Sequence, residues 1–474
     1  MNVRLIPDLE KSPLLVARCK RPAGRWMLLG VFTLLLTLLS SQWLVIAVFL
    51  ALTTAFAGHR RLVLSAAGIV IAVAYPNWLD LPFLERVTGQ EGLAHLPQFV
   101  VRLIVATVLV LLAGLAALAF RFPRSLVSRR PVLAAVLCFF ALVAAVSMAP
   151  LTGWGLVAAW IAILAIARML WYFCYTLADQ NSRNRDSVPL QAGLWRPVWM
   201  ASTDSGTPFA KGAAYLRKIE AHSAEELAVT QIKGLKLLLW ALILKMGQVW
   251  LQYFVYYKLG VPEFEAAFGR SVAGHPFAWY WNCLSLVAAF LTSLLQMSVW
   301  GHQIIACARM AGFRALRNTY RPLESRTLAE FWNRFYYYFK ELLVDMFFYP
   351  TYLRYFKRYP RLRMVAATMA AACAGNAIFH FLRDISFVAE MGWRRAIVGF
   401  QTYIFYTFIL GAGISISQLR AKRKDDPSQS WFRRRFVPVL GVAGFYCLIH
   451  IFDDANRTYG LREHFVFVRR LFGL

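Results

Sequence analysis

RMVAATMAAACAGNAIFHFLRDI, Arg363 to Ile385, is the stretch on which the fold turns. Between its flanking charges it is predominantly apolar or small, and about 20 such residues cross the hydrocarbon core of a bilayer as a helix. His380 sits inside that run. An ionisable side chain at membrane depth is costly enough to mark a functional site. Asn376 lies one helical turn before it and Asp384 one turn after, so an unbroken helix puts all three on one face. The rest of the chain agrees in kind: its 474 residues are 59% hydrophobic and 15% aromatic, against roughly 45–50% apolar in soluble domains. The expected fold is an all-α, polytopic integral membrane protein with about ten to twelve transmembrane or re-entrant helices. The short alternating strands of a membrane β-barrel are absent from the sequence.

Outward from this helix, the apolar block Trp26 to Ala57 carries Ser40, Ser41 and Gln42 near its middle. It is too long for one ordinary span, so it reads as two short helices or a re-entrant pair. Further spans are expected at Leu62–Leu79, Phe99–Phe120, Pro131–Pro150, Gly153–Leu177, Leu235–Tyr257, Trp279–Ala306, Val365–Ser386, Ala396–Ser417 and Val437–Phe452. Basic segments such as Arg121 to Arg130 alternate with the acidic linker Asp80 to Glu91, which places the N-terminus in the cytoplasm by the positive-inside rule. Residues 1–25 read as a cytoplasmic arm and residues 26–178 as the N-terminal spans. Residues 179–231, the longest polar segment, read as a cytoplasmic loop with a short interfacial helix in KIEAHSAEELAVTQI. A further helix is expected from Phe331 to Phe348, apolar on much of its surface yet charged, a pattern that suits protein-lined membrane space.

The formal charge is +28. Cytoplasmic loops of membrane proteins are rich in Lys and Arg, and there is no basic soluble domain to bind nucleic acid. The bilayer itself is therefore the first expected partner. RYFKRYPRLR, Arg354 to Arg363, reads as positive-inside bias in contact with anionic lipid, or as a grip on the phosphates of coenzyme A. The seven cysteines show neither CxxC nor Cys/His spacing, so neither a disulfide framework nor a metal site is expected. His302 and His450 also fall in or near spans; no motif surrounds either, and both read as structural.

RNTYRPLESRTLAEFWNRFYYYFKELLVDMFFYP, Arg317 to Pro350, resembles the signature of the membrane-bound O-acyltransferase family. The resemblance is greatest to bacterial members that acetylate alginate or D-alanylate teichoic acids. Asn318, Pro322, Ser325, Glu330, Phe331, Trp332, Asn333, Arg334, Asp345, Tyr349 and Pro350 match that signature in order. The family's catalytic histidine follows about fifty residues later in a helix rich in small residues, and His380 meets that expectation. The resemblance implies that residues 232–474 form the acyltransferase core of a protein in the bacterial cytoplasmic membrane. It implies His380, Asn376 and Tyr336 as catalytic, and Trp332, Asn333, Arg334 and Asp345 as substrate-binding. It also implies an acyl-CoA or acyl-carrier thioester as donor substrate, no permanently bound cofactor, and a periplasmic or membrane acyl-transfer partner. One position departs from the pattern: where bacterial members usually carry a second histidine, and many eukaryotic ones an asparagine, this chain has Tyr336.

The chemistry follows from the residues as well. Acyl transfer from a thioester to a hydroxyl requires a base for the hydroxyl proton and donors for the oxyanion. A neutral His380 supplies the base, and Asn376 either orients the ring or donates to the oxyanion. Tyrosine is a poor base, with an ordinary pKa of about 10, but it donates a hydrogen bond to a thioester carbonyl. Each residue also has a plainer reading. Asn376 and His380 suit polar contacts between helices, and Asp384 beside Arg383 suits a local ion pair. At the level of the whole chain, the alternatives are a transporter or flippase for an anionic or lipid-linked substrate, and an inactive scaffold of the same fold.

Overall fold

A computed structural model describes residues 5–181, 186–201, 206–209, 211–420, 430, 432–453 and 459–474. Among the described residues the regular structure is helical, and an isolated antiparallel bridge pairs Glu220 with Phe313. Eight helices are long and apolar enough to cross a membrane, and Pro22–Leu36, Trp43–Ala55 and Val437–Phe452 are shorter apolar helices. The chain therefore has the helices of a polytopic membrane protein. It divides into two compact units.

The first unit comprises residues 1–240, 302–316 and 382–393. The block Trp26 to Ala57 is two short helices, as expected. Thr37 Oγ1 donates to Leu34 O at 2.7 Å and Ser40 Oγ accepts from Gln42 N at 3.2 Å, so hydroxyls satisfy backbone groups where the helix breaks. The organising element is Gly153–Ala178, which packs against Gln98–Arg121 and Pro131–Met148. Its apolar window is 72% buried, against 33% and 28% for those two neighbours. A helix apolar all round belongs inside, whereas its neighbours keep one apolar face outward.

In the polar segment 179–231, residues 182–185, 202–205 and 210 lie outside the described residues, and GLWRPVWM is buried. Trp195, Arg196 and Trp199 are each at most 2% exposed. Trp195 Nε1 donates to Thr176 Oγ1 at 2.9 Å, and the Arg196 guanidinium lies 5.4 Å from the centre of the Trp78 ring. Close approach allows this: a Cβ on Gly68 would fall 1.9 Å from Gly193 O. The expected short interfacial helix is replaced. A seven-residue helix, Ala213–Ile219, ends before the bridge at Glu220, and Ala224–Gln252 then runs on without a break. Ser223 Oγ accepts from Glu226 N at 3.0 Å and starts that helix. With no proline before the apolar residues, nothing stops it.

The second unit comprises residues 241–301, 317–381 and 394–474. One cluster of its core joins Leu294, Phe331, Ala372, Leu410, Ile414 and Tyr446. Another joins Phe268, Leu286, Ile451, Phe467 and Leu471. The amphipathic helix Leu461–Leu471, which supplies two of those residues, has no counterpart in the sequence reading. The expected span from Ala396 instead begins at Gln401 and runs to Arg420. Ser386–Gly399 precedes it, kinked where Gly392 takes φ 74°. The single helix expected from Phe331 to Phe348 is three pieces, Leu328–Phe335, Tyr337–Leu343 and the π-helical turn Val344–Phe348. The membrane helix that carries His380 likewise contains a π-helical turn, Ala370–Gly375, between Pro360–Met369 and Asn376–Arg383.

Candidate active site

The site begins at a break. Tyr336, with φ −137° and ψ 71°, ends one helix and opens the next. A helix break exposes carbonyls on one side and N–H groups on the other. Asn318–Tyr320 runs across the break and meets both. Tyr320 N donates to Arg334 O at 2.7 Å, and Thr319 Oγ1 donates to Phe335 O at 2.7 Å. Tyr337 N donates to Asn318 O at 3.0 Å, and Tyr338 N to Asn318 Oδ1 at 3.2 Å. The first helix is capped by Thr327, whose Oγ1 accepts from Glu330 N at 3.1 Å. Phe331 stacks on Tyr446 with ring centres 3.8 Å apart, and Tyr446 OH donates to Leu328 O at 2.8 Å. The polar residues around Tyr336 are thus spent on holding a bend.

The second helix of the break brings up Phe339, which gathers the site. Its ring lies 5.6 Å from Trp332, 5.4 Å from Tyr336, 4.6 Å from Phe379 and 6.1 Å from His380, centre to centre. Tyr403 stacks on the imidazole at 4.7 Å and 28°. His380 is half-buried among these rings, with Phe339, Phe379 and Tyr403 all buried. Aromatic walls of this kind lower the local dielectric and strengthen hydrogen bonds made inside them.

Asn376 lies one α-helical turn before His380, immediately after the π-helical turn. Its side chain is 0% exposed, and neither amide atom has a hydrogen-bond partner in the protein. A buried primary amide left in this state costs several kcal/mol in an apolar medium, on the order of 2–7. A ligand that both donates and accepts would relieve it. The π-helical turns Val344–Phe348 and Ala370–Gly375 pack on each other. They approach closely because a Cβ on Gly375 would sit 2.6 Å from Phe347 Cδ2. Such turns inside α-helices often mark functional sites.

Trp332, Tyr336 and His380 therefore share one aromatic neighbour, and Asn376 shares a helix face with His380. The remaining expected residues lie differently. Arg334 Nη2 meets Glu330 Oε1 at 2.6 Å, and Nη1 lies 3.8 Å from Glu324 Oε2, so the guanidinium is occupied by carboxylates. Asn333 is exposed, and Asp345 is half-buried on the π-helical turn Val344–Phe348. Asp384 lies in the turn immediately after the helix, which ends at Arg383. Arg383 holds Asp384 in a two-point pair, the local ion pair expected from their adjacency, Nε to Oδ1 at 2.8 Å and Nη2 to Oδ2 at 3.0 Å. Of the basic segment Arg354 to Arg363, all but Arg363 is exposed; that guanidinium lies 3.8 Å from the centre of the Tyr352 ring.

Phe339 and Tyr403 were not singled out in the sequence. Phe339 is one aromatic in a run of aromatics, and Tyr403 lies in an apolar span with no polar pattern around it. Thr402, 0% exposed with an unbonded hydroxyl, was equally silent. No protein-family model matches the chain, and no curated protein matches it.

Proposed function

We propose that this chain is a membrane-bound O-acyltransferase that moves a short acyl group, acetyl foremost, from a cytoplasmic thioester such as acyl-CoA to a hydroxyl of an envelope glycan or lipid. The observation that carries this reading is the pairing of the ring-walled His380 imidazole with the Asn376 amide, which is fully buried and unbonded one turn away. In the reaction, neutral His380 takes the proton of the acceptor hydroxyl as its oxygen attacks the thioester carbonyl. Asn376 Nδ2 donates to the oxyanion of the tetrahedral intermediate, and Tyr336 donates to the same carbonyl as it enters. The C–S bond then breaks, and the thiol leaves with the proton held by the imidazolium. An O-acyl ester and a free thiol result.

Trp332 serves this reaction as part of the aromatic wall. Arg334 serves it by tying the helix Leu328–Phe335 to Glu324, since a phosphate contact would compete with Glu330 and Glu324. The protein's partners on this reading are the thioester donor, the bilayer and an acyl-transfer partner in the membrane or periplasm. Purified protein given radiolabelled acetyl-CoA and an envelope extract tests it. Transfer is expected in the wild type and is expected to vanish in His380→Ala with expression and thermal unfolding unchanged; full transfer in that variant would sink the reading.

A further inference from the structure

A second histidine in this unit has chemistry of its own. His450 opens the 3-10 turn His450–Phe452, opposite Ser293 on the long helix Trp279–Met310. Ser293 Oγ lies 3.4 Å from His450 Nε2, and the other ring nitrogen, Nδ1, lies 4.0 Å from Asp453 Oδ2. Hydroxyl, imidazole and carboxylate, with one partner at each ring nitrogen, form the arrangement that activates a serine nucleophile on unrelated folds. Contacts of this kind are often long before substrate binds and tighten in its complex.

The setting fits a nucleophile. A neutral imidazole has one donor and one acceptor nitrogen, and here each faces a group of the fitting kind. A carboxylate 4.0 Å from Nδ1 favours the tautomer with its proton there once the two close to hydrogen-bond distance, which leaves Nε2 to accept the Ser293 proton. Phe264 and Phe290 flank the imidazole, at 6.3 and 6.2 Å between centres. Ser293 remains half-buried, so its hydroxyl is not sealed by packing. Its own N–H is committed within its helix. The helix Phe264–Val272 opens beside the His450 ring, with Phe264 as its first residue.

The geometry points to Ser293 as the nucleophile of a separate acyl-group site, with His450 as its base and Asp453 as a positioning residue. Its substrate class is an acyl ester or acyl thioester, for which the flanking phenylalanines offer an apolar wall. Ser293 Oγ bonds to the acyl carbon while His450 Nε2 takes the hydroxyl proton. The C–O or C–S bond to the leaving group breaks, and that group departs as an alcohol or thiol carrying the same proton. The product is an O-acyl serine, discharged by the reverse proton path onto water or a second hydroxyl. This activity goes beyond the transfer proposed at His380 and does not depend on it.

The full-length protein in detergent, treated with a fluorophosphonate that phosphonylates activated serines, tests the assignment by peptide mass spectrometry. The adduct is expected on Ser293, absent in Ser293→Ala and formed about a hundredfold more slowly in His450→Ala, the scale of a lost general base. Asp453→Asn is expected to slow labelling and Asp453→Glu to restore it, a pattern that a merely structural carboxylate would not give. Ser293→Cys supplies a second readout: iodoacetamide should alkylate position 293 at neutral pH faster with His450 present than in a His450→Ala background. An unlabelled Ser293 in folded protein overturns the proposal, and so does alkylation of the cysteine that ignores His450. No acyl-CoA is present, so neither result bears on transfer at His380.

Discussion

Asn318 accepts the backbone N–H of Tyr338 through its side-chain Oδ1 at 3.2 Å, which makes it the cap of a helix that begins nineteen residues further along the chain. Ordinary N-caps are local. This one comes from a distant segment, so the bend at Tyr336 exists only where Asn318–Tyr320 is docked. Asn318→Ala should therefore lower stability by about 1 kcal/mol, the usual worth of a cap. A thermal melt in detergent checks this, and an unchanged midpoint would show that the bend stands without Asn318.

Gly375 meets Phe347 where the two π-helical turns pack, and a Cβ there would lie 2.6 Å from the ring. Gly375→Ala is expected to destabilise by about 1–3 kcal/mol through overpacking. Phe347→Leu in the same chain should recover part of that loss. Measuring both single variants and the double gives the interaction directly; additive effects would mean that the ring is not what the methyl strikes.

At the proposed transfer site the three polar residues should fail by different amounts. His380→Ala should abolish detectable transfer. Asn376→Ala should cost about 10²–10³ in turnover, as loss of an oxyanion donor does. Tyr336→Phe should cost less than either, because the aromatic contact with Phe339 survives. Steady-state kinetics with labelled acetyl-CoA separate these, and a Tyr336→Phe defect as complete as that of His380→Ala would make the phenol a full partner in the proton transfer.

The N-terminal arm offers a pH test. Lys236 Nζ, nearly buried, meets Asp8 Oδ1 at 2.8 Å and Glu10 Oε2 at 3.2 Å. Burial pushes the Glu10 carboxyl up, but its backbone hydrogen bond, Lys236 and Lys233 outweigh that and hold it below its ordinary value of 4.5. A depressed folded-state pKa contributes stability that is complete above the unfolded value and lost as pH falls through the lower folded one. Hydrogen exchange across residues 5–20, corrected for intrinsic rates, should stay slow from pH 7 to about 5 and quicken only below about 4.5. Loosening that starts above pH 6 would assign the contact to some other group.

The helical class and most span positions were legible because bilayer thickness imposes a length and an apolarity that any spanning helix must meet. The pair of helices in Trp26–Ala57 was legible for the same reason, from three polar residues in the middle of an apolar run. His380 and Asn376 stood out because polar side chains are costly there. What only the tertiary structure decided lies in the backbone between these points. The break at Tyr336 depends on a segment from elsewhere in the chain, and the π-helical turn before Asn376 shifts the helical phase without any proline to announce it. Phe339 and Tyr403 became the walls of His380 only once three separate segments met. Periodicity reports a residue's own helix, whereas the surroundings of an imidazole are set by side chains that are remote in sequence. The sequence by itself determined which groups are costly to bury; the tertiary structure decided which of them meet.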